Sequence, residues 1–395
     1  MTQTADAIVV GGGLEGLSTA YHLSAADFGR VVVLERGSLC SGGTAKSSGV
    51  VRAHYGVPTL AAMAWYGNQF LANASEILHA EVGFEQTGYV VGVGPGNVEA
   101  LQANVAMQRS LGVQVDLVGR DKVAELWPWA DLDDFETFAY EPEGGYGDAY
   151  LTGQAFAEAA RRAGATIRQN APVTEVLTDG DRVAGVALAG GERIASPIVV
   201  VAAGPWSVRL VAPLGIDLPI RAQREQILLI DPGLEITDAP VLSDLALLQY
   251  IRCERSGQLL VGNSDHSSPD FVDPDDYPNT ADPDFVEQAV AKVDRRLPRL
   301  PSPALSSSYS GCYDVTPDYN PIIGPAGPEG LVLCAGFSGH GYKISPAVGR
   351  LVADLLTLNK SSDPNIDASD LRFSRFEEGA LTLSKHPYVG AGQMR

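Results

Sequence analysis

Residues 7–35 read AIVVGGGLEGLSTAYHLSAADFGRVVVLE. Four apolar residues, 7–10, predict a short buried strand. Gly11, Gly13 and Gly16 then form G-x-G-x-x-G at the opening of a helical pattern over 14–25. A second apolar strand, 31–34, ends on Glu35, nineteen residues after Gly16. Alone the glycine pattern is weak. Between a strand and a helix, with an acid at the end of the next strand, it is a dinucleotide-binding fingerprint. Gly11 permits the tight turn, Gly13 lets a pyrophosphate approach, and Gly16 lets helix and strand pack. The helix start offers unpaired N–H groups and partial positive charge to the phosphates, and Glu35 can accept both ribose hydroxyls of an adenosine.

Outward from this unit, residues 37–49, GSLCSGGTAKSSG, form a loop whose backbone can come close to a ligand. Helices are expected over 60–78, 98–111, 154–163 and 346–356. Strands are expected at 87–93, in a pair over 172–188 turning at Asp179-Gly180, at 198–201 and at 331–335. Residues 226–262 alternate apolar strands with turns, which predicts an antiparallel sheet. The Pro- and Asp-rich stretch 267–284 is expected to be a solvated loop. It lacks the glycine and terminal glutamate of a calcium loop, and no metal site is expected.

The 395 residues imply about two domains. With 45% apolar and 19% charged residues the chain is a packed globular protein. A formal net charge of −20 argues against nucleic acid and against anionic membranes as partners. No apolar run is long enough to span a bilayer. The N-terminus lacks a secretory pattern, and Cys40, Cys253, Cys312 and Cys334 form no C-x-x-C pair. A cytoplasmic protein with reduced thiols is expected.

The fingerprint does not separate NAD from FAD. The segments that would complete the nucleotide fold, PIVVVAAGPWS and LVLCAGFSGHGYK, lie far downstream, whereas nicotinamide enzymes usually complete theirs contiguously. Seven stretches occur in a fixed order: IVVGGGLEGLSTAYHL, VVLERG, SSGVVRAHYG, GGYGDAYLT, VVVAAGPWS, YDVTPDYNPIIG and GFSGHGYKISPAVGRLVADLL. In these the chain resembles the D-amino-acid oxidase superfamily of flavoproteins, in its sarcosine oxidase and dimethylglycine dehydrogenase branch, over nearly its whole length.

The resemblance implies an α/β fold, α+β overall: a Rossmann-type FAD-binding domain (1–85, 146–222 and 311–395) interleaved with an antiparallel-sheet substrate domain (86–145 and 223–310). Beyond the fingerprint residues it implies FAD contacts from Leu14, Glu15, Arg36, Ser47, Ser48, Gly49, Val173, Gly204 and Trp206. The GFSGHGYK segment, with Gly336, Gly339, His340, Gly341, Tyr342 and Lys343, would wrap the flavin ring. Arg52 and Lys343 match cations that pair with the substrate carboxylate, and Tyr313 matches a tyrosine facing the flavin. Arg52 could instead serve a structural ion pair or the phosphates. Lys343 could be a solvated helix-start lysine, and Tyr313 a core tyrosine.

Three departures from the branch matter. Counting back from Thr316-Pro317-Asp318, the cysteine that carries covalent FAD in some relatives falls on Gly311, and Cys312 is one residue off. Side chains one apart on a strand face opposite ways, so non-covalent FAD is expected. Gly49 stands where sarcosine oxidases carry an arginine near the flavin. Leu260 stands near their oxygen-activating lysine, which leaves the acceptor as oxygen or another molecule.

The expected activity is oxidation of a small carboxylate-bearing amine, an N-methyl, secondary or primary amino acid, to an imine by hydride transfer to flavin N5. A flavin-dependent 2-hydroxy acid dehydrogenase would need a base, and His54 or His340 would have to supply it. Another alternative is the flavin-bearing subunit of a hetero-oligomeric amine dehydrogenase, without an iron–sulfur relay of its own. Homo- and hetero-oligomers are both open.

Overall fold

The computed structural model describes residues 3–390. The β-α-β unit forms as its pattern dictates: strand Ala7–Val10, helix Leu14–Ala25 and strand Val31–Leu34. All eight strand residues are buried, as an all-apolar run requires in a parallel sheet covered on both faces. The six-stranded sheet runs Ile322–Pro325, Leu331–Ala335, Val199–Val201, Ala7–Val10, Val31–Leu34, Thr166–Arg168. Its pairings are parallel except that between Ile322–Pro325 and Leu331–Ala335. Four of its strands therefore come from beyond residue 160. Helix Leu14–Ala25 packs between helices Ala149–Arg162 and Gly341–Leu358. Strands Val173–Asp179 and Arg182–Leu188 form the expected hairpin in a separate four-stranded sheet.

The second large sheet has eight strands, in the order Ala304–Val315, Arg221–Asp231, Leu259–Asn263, Gln249–Cys253, Val241–Asp244, Tyr89–Val93, Thr137–Glu141, Asp116–Val118. It is antiparallel apart from the pairing of Val241–Asp244 with Tyr89–Val93. The divisions expected at 222/223 and 310/311 fall inside strands Arg221–Asp231 and Ala304–Val315, which pair along their whole lengths. The sheet itself therefore carries the chain from one half to the other.

Helix boundaries differ most from the sequence pattern where a polar residue starts the helix. Helix Ala149–Arg162 begins five residues before the predicted 154, because the Asp148 side chain accepts from Leu151 N at 2.9 Å and caps it. Helix Gly341–Leu358 begins before Pro346 rather than at it. Proline lacks the N–H that would bond the Tyr342 carbonyl; Ser345 Oγ donates to that carbonyl instead, at 2.9 Å. Helix Pro283–Arg296 and strand Asp116–Val118 were not anticipated. Among the described residues no helix is long and apolar enough to cross a membrane.

Candidate active site

A cavity of about 690 Å³ runs between the two large sheets. Its first wall is the glycine loop. Gly11 has φ +115°, and a Cβ there would lie 2.3 Å from Ala202 O, so only glycine lets the loop pass strand Val199–Val201. A Cβ on Gly16 would lie 2.1 Å from Gly11 O, which is the close helix–strand approach expected of it. Gly11, Gly13, Leu14 and Glu15 border the cavity, and helix Leu14–Ala25 opens there with no side-chain cap. Leu14 N donates to Thr44 Oγ1 at 3.1 Å, and the dipole at the helix start suits a phosphate.

Glu35 closes this end. Its Oε2 accepts from Gly12 N and its Oε1 from Gly37 N, each at 2.7 Å. A carboxylate offers about four acceptor sites, so a ribose diol can still bond to it. Arg36 stacks over Trp206 at 4.0 Å, and Asp275 bridges both through hydrogen bonds of 3.1 and 2.9 Å. Val173 and Gly204 complete that end of the wall. Residues 267–284, expected to be a solvated loop, in fact contribute Pro274, Asp275 and Tyr277 to the cavity.

Ser47 and Ser48 border the middle of the cavity. Gly49 sits behind them, with its carbonyl accepting from Gly147 N at 2.8 Å. Tyr313, Gly339, Gly341, Tyr342 and Lys343 line the far half with Ile227 and Tyr250. Gly339 has φ +82°, and a Cβ there would lie 2.6 Å from the Tyr313 ring. The glycine turn and the tyrosine thus meet face to face.

Two acids lie where the halves join, Asp314 buried and Glu15 partly exposed to the cavity, and nothing in the sequence singles out Asp314. Asp314 Oδ2 accepts from Gly336 N at 2.7 Å, and burial pushes its carboxyl up to about 6. Glu15 lies so close to Gly341 that a Cβ there would sit 2.3 Å from its Oε1. Burial pushes Glu15 up to about 7, and the charge of Asp314 adds to the rise.

Two expected side chains are elsewhere. Arg52 does not border the cavity. The strand Val50–Val51 ends just before it, and its guanidinium lies over Tyr55 at 4.1 Å, near Tyr89 at 5.8 Å, donating to the His54 carbonyl. This buried berth offers π faces and the nearby charge of Glu141, and it lies outside the cavity that Lys343 borders. His340 is also turned into the core, with Nδ1 3.0 Å from Tyr55 Oη. His54 is fully buried, its Nε2 2.7 Å from Tyr388 Oη. Neither histidine borders the cavity.

Cys312 is partly exposed and forms a side-chain hydrogen bond with Tyr277. Burial pushes its thiol up to about 11. Tyr313, one residue on, meets Gly339 instead, as the alternation of a strand demands. Leu260 is buried against Ile227 and Tyr250. No cluster of metal-ligating side chains exists among the described residues.

The glycine cradle, the uncapped helix start, Glu35 at the ribose end and the second glycine turn over Tyr313 are together suited to a flavin adenine dinucleotide. The comparisons agree. 4-Methylaminobutanoate oxidase (formaldehyde-forming) of Paenarthrobacter nicotinovorans is 29% identical, over 98% of this chain but 48% of its own length. Human mitochondrial dimethylglycine dehydrogenase is 26% identical over 96% of this chain and 45% of its own. The chain thus spans about half the length of these two relatives. Glycine oxidase of Pseudomonas putida, 27% identical, is matched over 91% of this chain and 96% of its own. Among solved structures, L-proline dehydrogenase from P. horikoshii superposes with a TM-score of 0.87 at 25% identity, covering 96% of this chain and all of that one. A family model described as FAD dependent oxidoreductase matches residues 6–355, and the chain is therefore a member of that family, DAO.

Proposed function

We propose that this FAD-dependent oxidoreductase oxidises a small amine that carries a carboxylate, an N-methyl, secondary or primary amino acid, to an imine. The observation that carries the proposal is Lys343, at the first turn of helix Gly341–Leu358, sharing a cavity wall with Tyr313 and Gly339. A cation there, added to the helix start, holds a carboxylate by charge-assisted hydrogen bonds. Ile227 and Tyr250 offer the substrate body apolar contact. The bound flavin supplies the hydride acceptor at N5. The chain's own task is to orient the C–H bond between Lys343 and Tyr313 and to exclude water from that half.

The named relatives act on 4-methylaminobutanoate, dimethylglycine and glycine, which supports an amine. A 2-hydroxy acid was the alternative that required His54 or His340 as base, and both are turned into the core. Leu260, buried beside Ile227 and Tyr250, offers no charge to oxygen, so we assign a slow reaction with oxygen and another electron acceptor as the working partner. All four cysteines are free, in keeping with the cytoplasm.

The test is anaerobic: purified yellow protein is mixed with sarcosine, N,N-dimethylglycine, 4-methylaminobutanoate, glycine, L-proline and L-lactate, and flavin absorbance is followed. Bleaching by one or more of the amines supports the proposal. Bleaching by lactate alone overturns it.

A further inference from the structure

The far half of the cavity has a carboxylate that no sequence motif marks. Glu225 lies on strand Arg221–Asp231, opposite Gly311 of strand Ala304–Val315. Alternation along the strand puts Gln223, Glu225 and Ile227 on one face, and Glu225 and Ile227 both border the cavity. Arg224 and Gln226 take the other face, where both bond to Asp282.

Glu225 is 9% exposed. Its Oε1 accepts from Gln223 Nε2 at 2.5 Å and lies 3.3 Å from His266 Nδ1. Gln223 Nε2 also lies 3.2 Å from that ring nitrogen, and Tyr319 Oη donates to Gln223 Oε1 at 3.4 Å. The carboxylate is therefore held from behind by Oε1, which leaves Oε2 for a donor in the cavity. His266 is followed by exposed Ser267 and Ser268. Glu225 and His266 thus make a polar pair behind the cavity wall, with the His266 side chain 6% exposed.

An amino acid in neutral water is a zwitterion, with an alkylammonium of pKa about 10. A hydride can leave its C–H only when nitrogen has a lone pair to form the C=N bond, so one proton must first be removed. We propose that Glu225, held by Gln223 and His266, receives the ammonium proton of the bound substrate, with the His266 imidazole as its neighbouring proton partner. This rests on the amine oxidation proposed above. In the step an N–H bond breaks, its electron pair stays on nitrogen, and an O–H bond forms on Glu225. The hydride then leaves carbon with its own pair, giving the iminium.

Other titratable and charged groups face this pair. Tyr319 faces it through Gln223, and its hydroxyl is raised by burial and by the charge of Glu225. Asp265 adjoins His266. Lys46 packs against Gly311, directly across the strand pair from Glu225. Tyr313 pairs with Gln223 across the strands, on the same face of the sheet, and Lys343 borders the same cavity.

The experiment is stopped-flow anaerobic reduction of the holoenzyme from pH 6.5 to 10, using whichever amine of the panel above bleaches the wild type. Failure of every amine in the wild type counts against the proposed function; the comparison of variants addresses Glu225 alone. In Glu225→Gln the reaction must draw on the free neutral amine. Reduction at pH 7 should fall about 100-fold or more and recover about tenfold per pH unit toward the amine pKa. His266→Gln should show the same trend, reduced to about tenfold at pH 7. As a readout apart from turnover, glycine betaine should bind about tenfold more weakly to Glu225→Gln, while (methylthio)acetate, which has no cation, should not weaken. A wild-type pH profile in both variants, or equal weakening of the two ligands, overturns the assignment.

Discussion

Replacing Glu35 with alanine strips the ribose end of the cavity of its carboxylate. Two losses combine. The acceptor for an adenosine diol disappears, and Gly12 N and Gly37 N, each 2.7 Å from a Glu35 oxygen, lose the partner that fixes the loop. A hydrogen bond to a charged group contributes about 1.5–3 kcal/mol. Loss of the two ribose bonds alone therefore costs about 3 kcal/mol or more, which is about 100-fold or more in Kd. The assay is titration of the apoprotein with FAD, following quenching of flavin fluorescence, with FMN as the companion ligand. FMN has no adenosine, so its Kd should change by less than about threefold. Glu35→Gln, which keeps one acceptor and the side-chain length, should lie between, at about tenfold for FAD. An FAD affinity within about threefold of wild type in Glu35→Ala would remove Glu35 from the site. Equal losses for FAD and FMN would show that the loop had collapsed and that the ribose contact was not the cause.

Burial holds the Glu15 carboxyl near 7 in the folded protein against an ordinary 4.5, so its favourable contribution is complete below about 4.5 and is lost as pH rises through 7. That difference amounts to about 3 kcal/mol at most. Glu15→Gln should therefore raise apoprotein Tm over wild type far more at pH 8 than at pH 5; an equal offset at both would refute the burial argument. Lys343→Ala should raise KM for the bleaching amino acid by about one to two orders of magnitude. Arg52→Ala, in contrast, empties a buried berth and should cost about 3–5 kcal/mol of stability; a KM effect at unaltered Tm would mean that Arg52 swings into the cavity. Acid precipitation should leave the yellow colour in the supernatant, because the Cys312 sulfur is engaged with Tyr277; colour in the pellet would refute the strand-register argument.

The cofactor half was legible because its determinants are local. A glycine needed for a turn, an unbroken apolar strand and an acid at a strand end are each imposed within about thirty residues, and residues 7–35 display all three. The alternation that turns Cys312 from Tyr313 is local in the same sense, as is the antiparallel pattern of residues 226–262. Helix starts were less legible. The cap at Asp148 and the Ser345 hydroxyl that relieves Pro346 act through single side-chain bonds, and periodicity does not register them.

The direction in which a side chain points at the end of an element was decided by the tertiary structure alone. Arg52 sits in a motif, yet its guanidinium lies on Tyr55 and Tyr89, which come from a loop and from the eight-stranded sheet. His340 is drawn to Tyr55 in the same way. The converse holds for Asp275, Asp314 and Glu225. Nothing in their neighbours along the chain marks them, because the groups that give them meaning lie far away in sequence: Arg36 and Trp206 for Asp275, Gly336 for Asp314, and His266 for Glu225. A sequence specifies the strands and turns that local sterics and burial select. Which acid meets which base across a cavity depends on how two sheets, assembled from interleaved stretches of chain, close on each other.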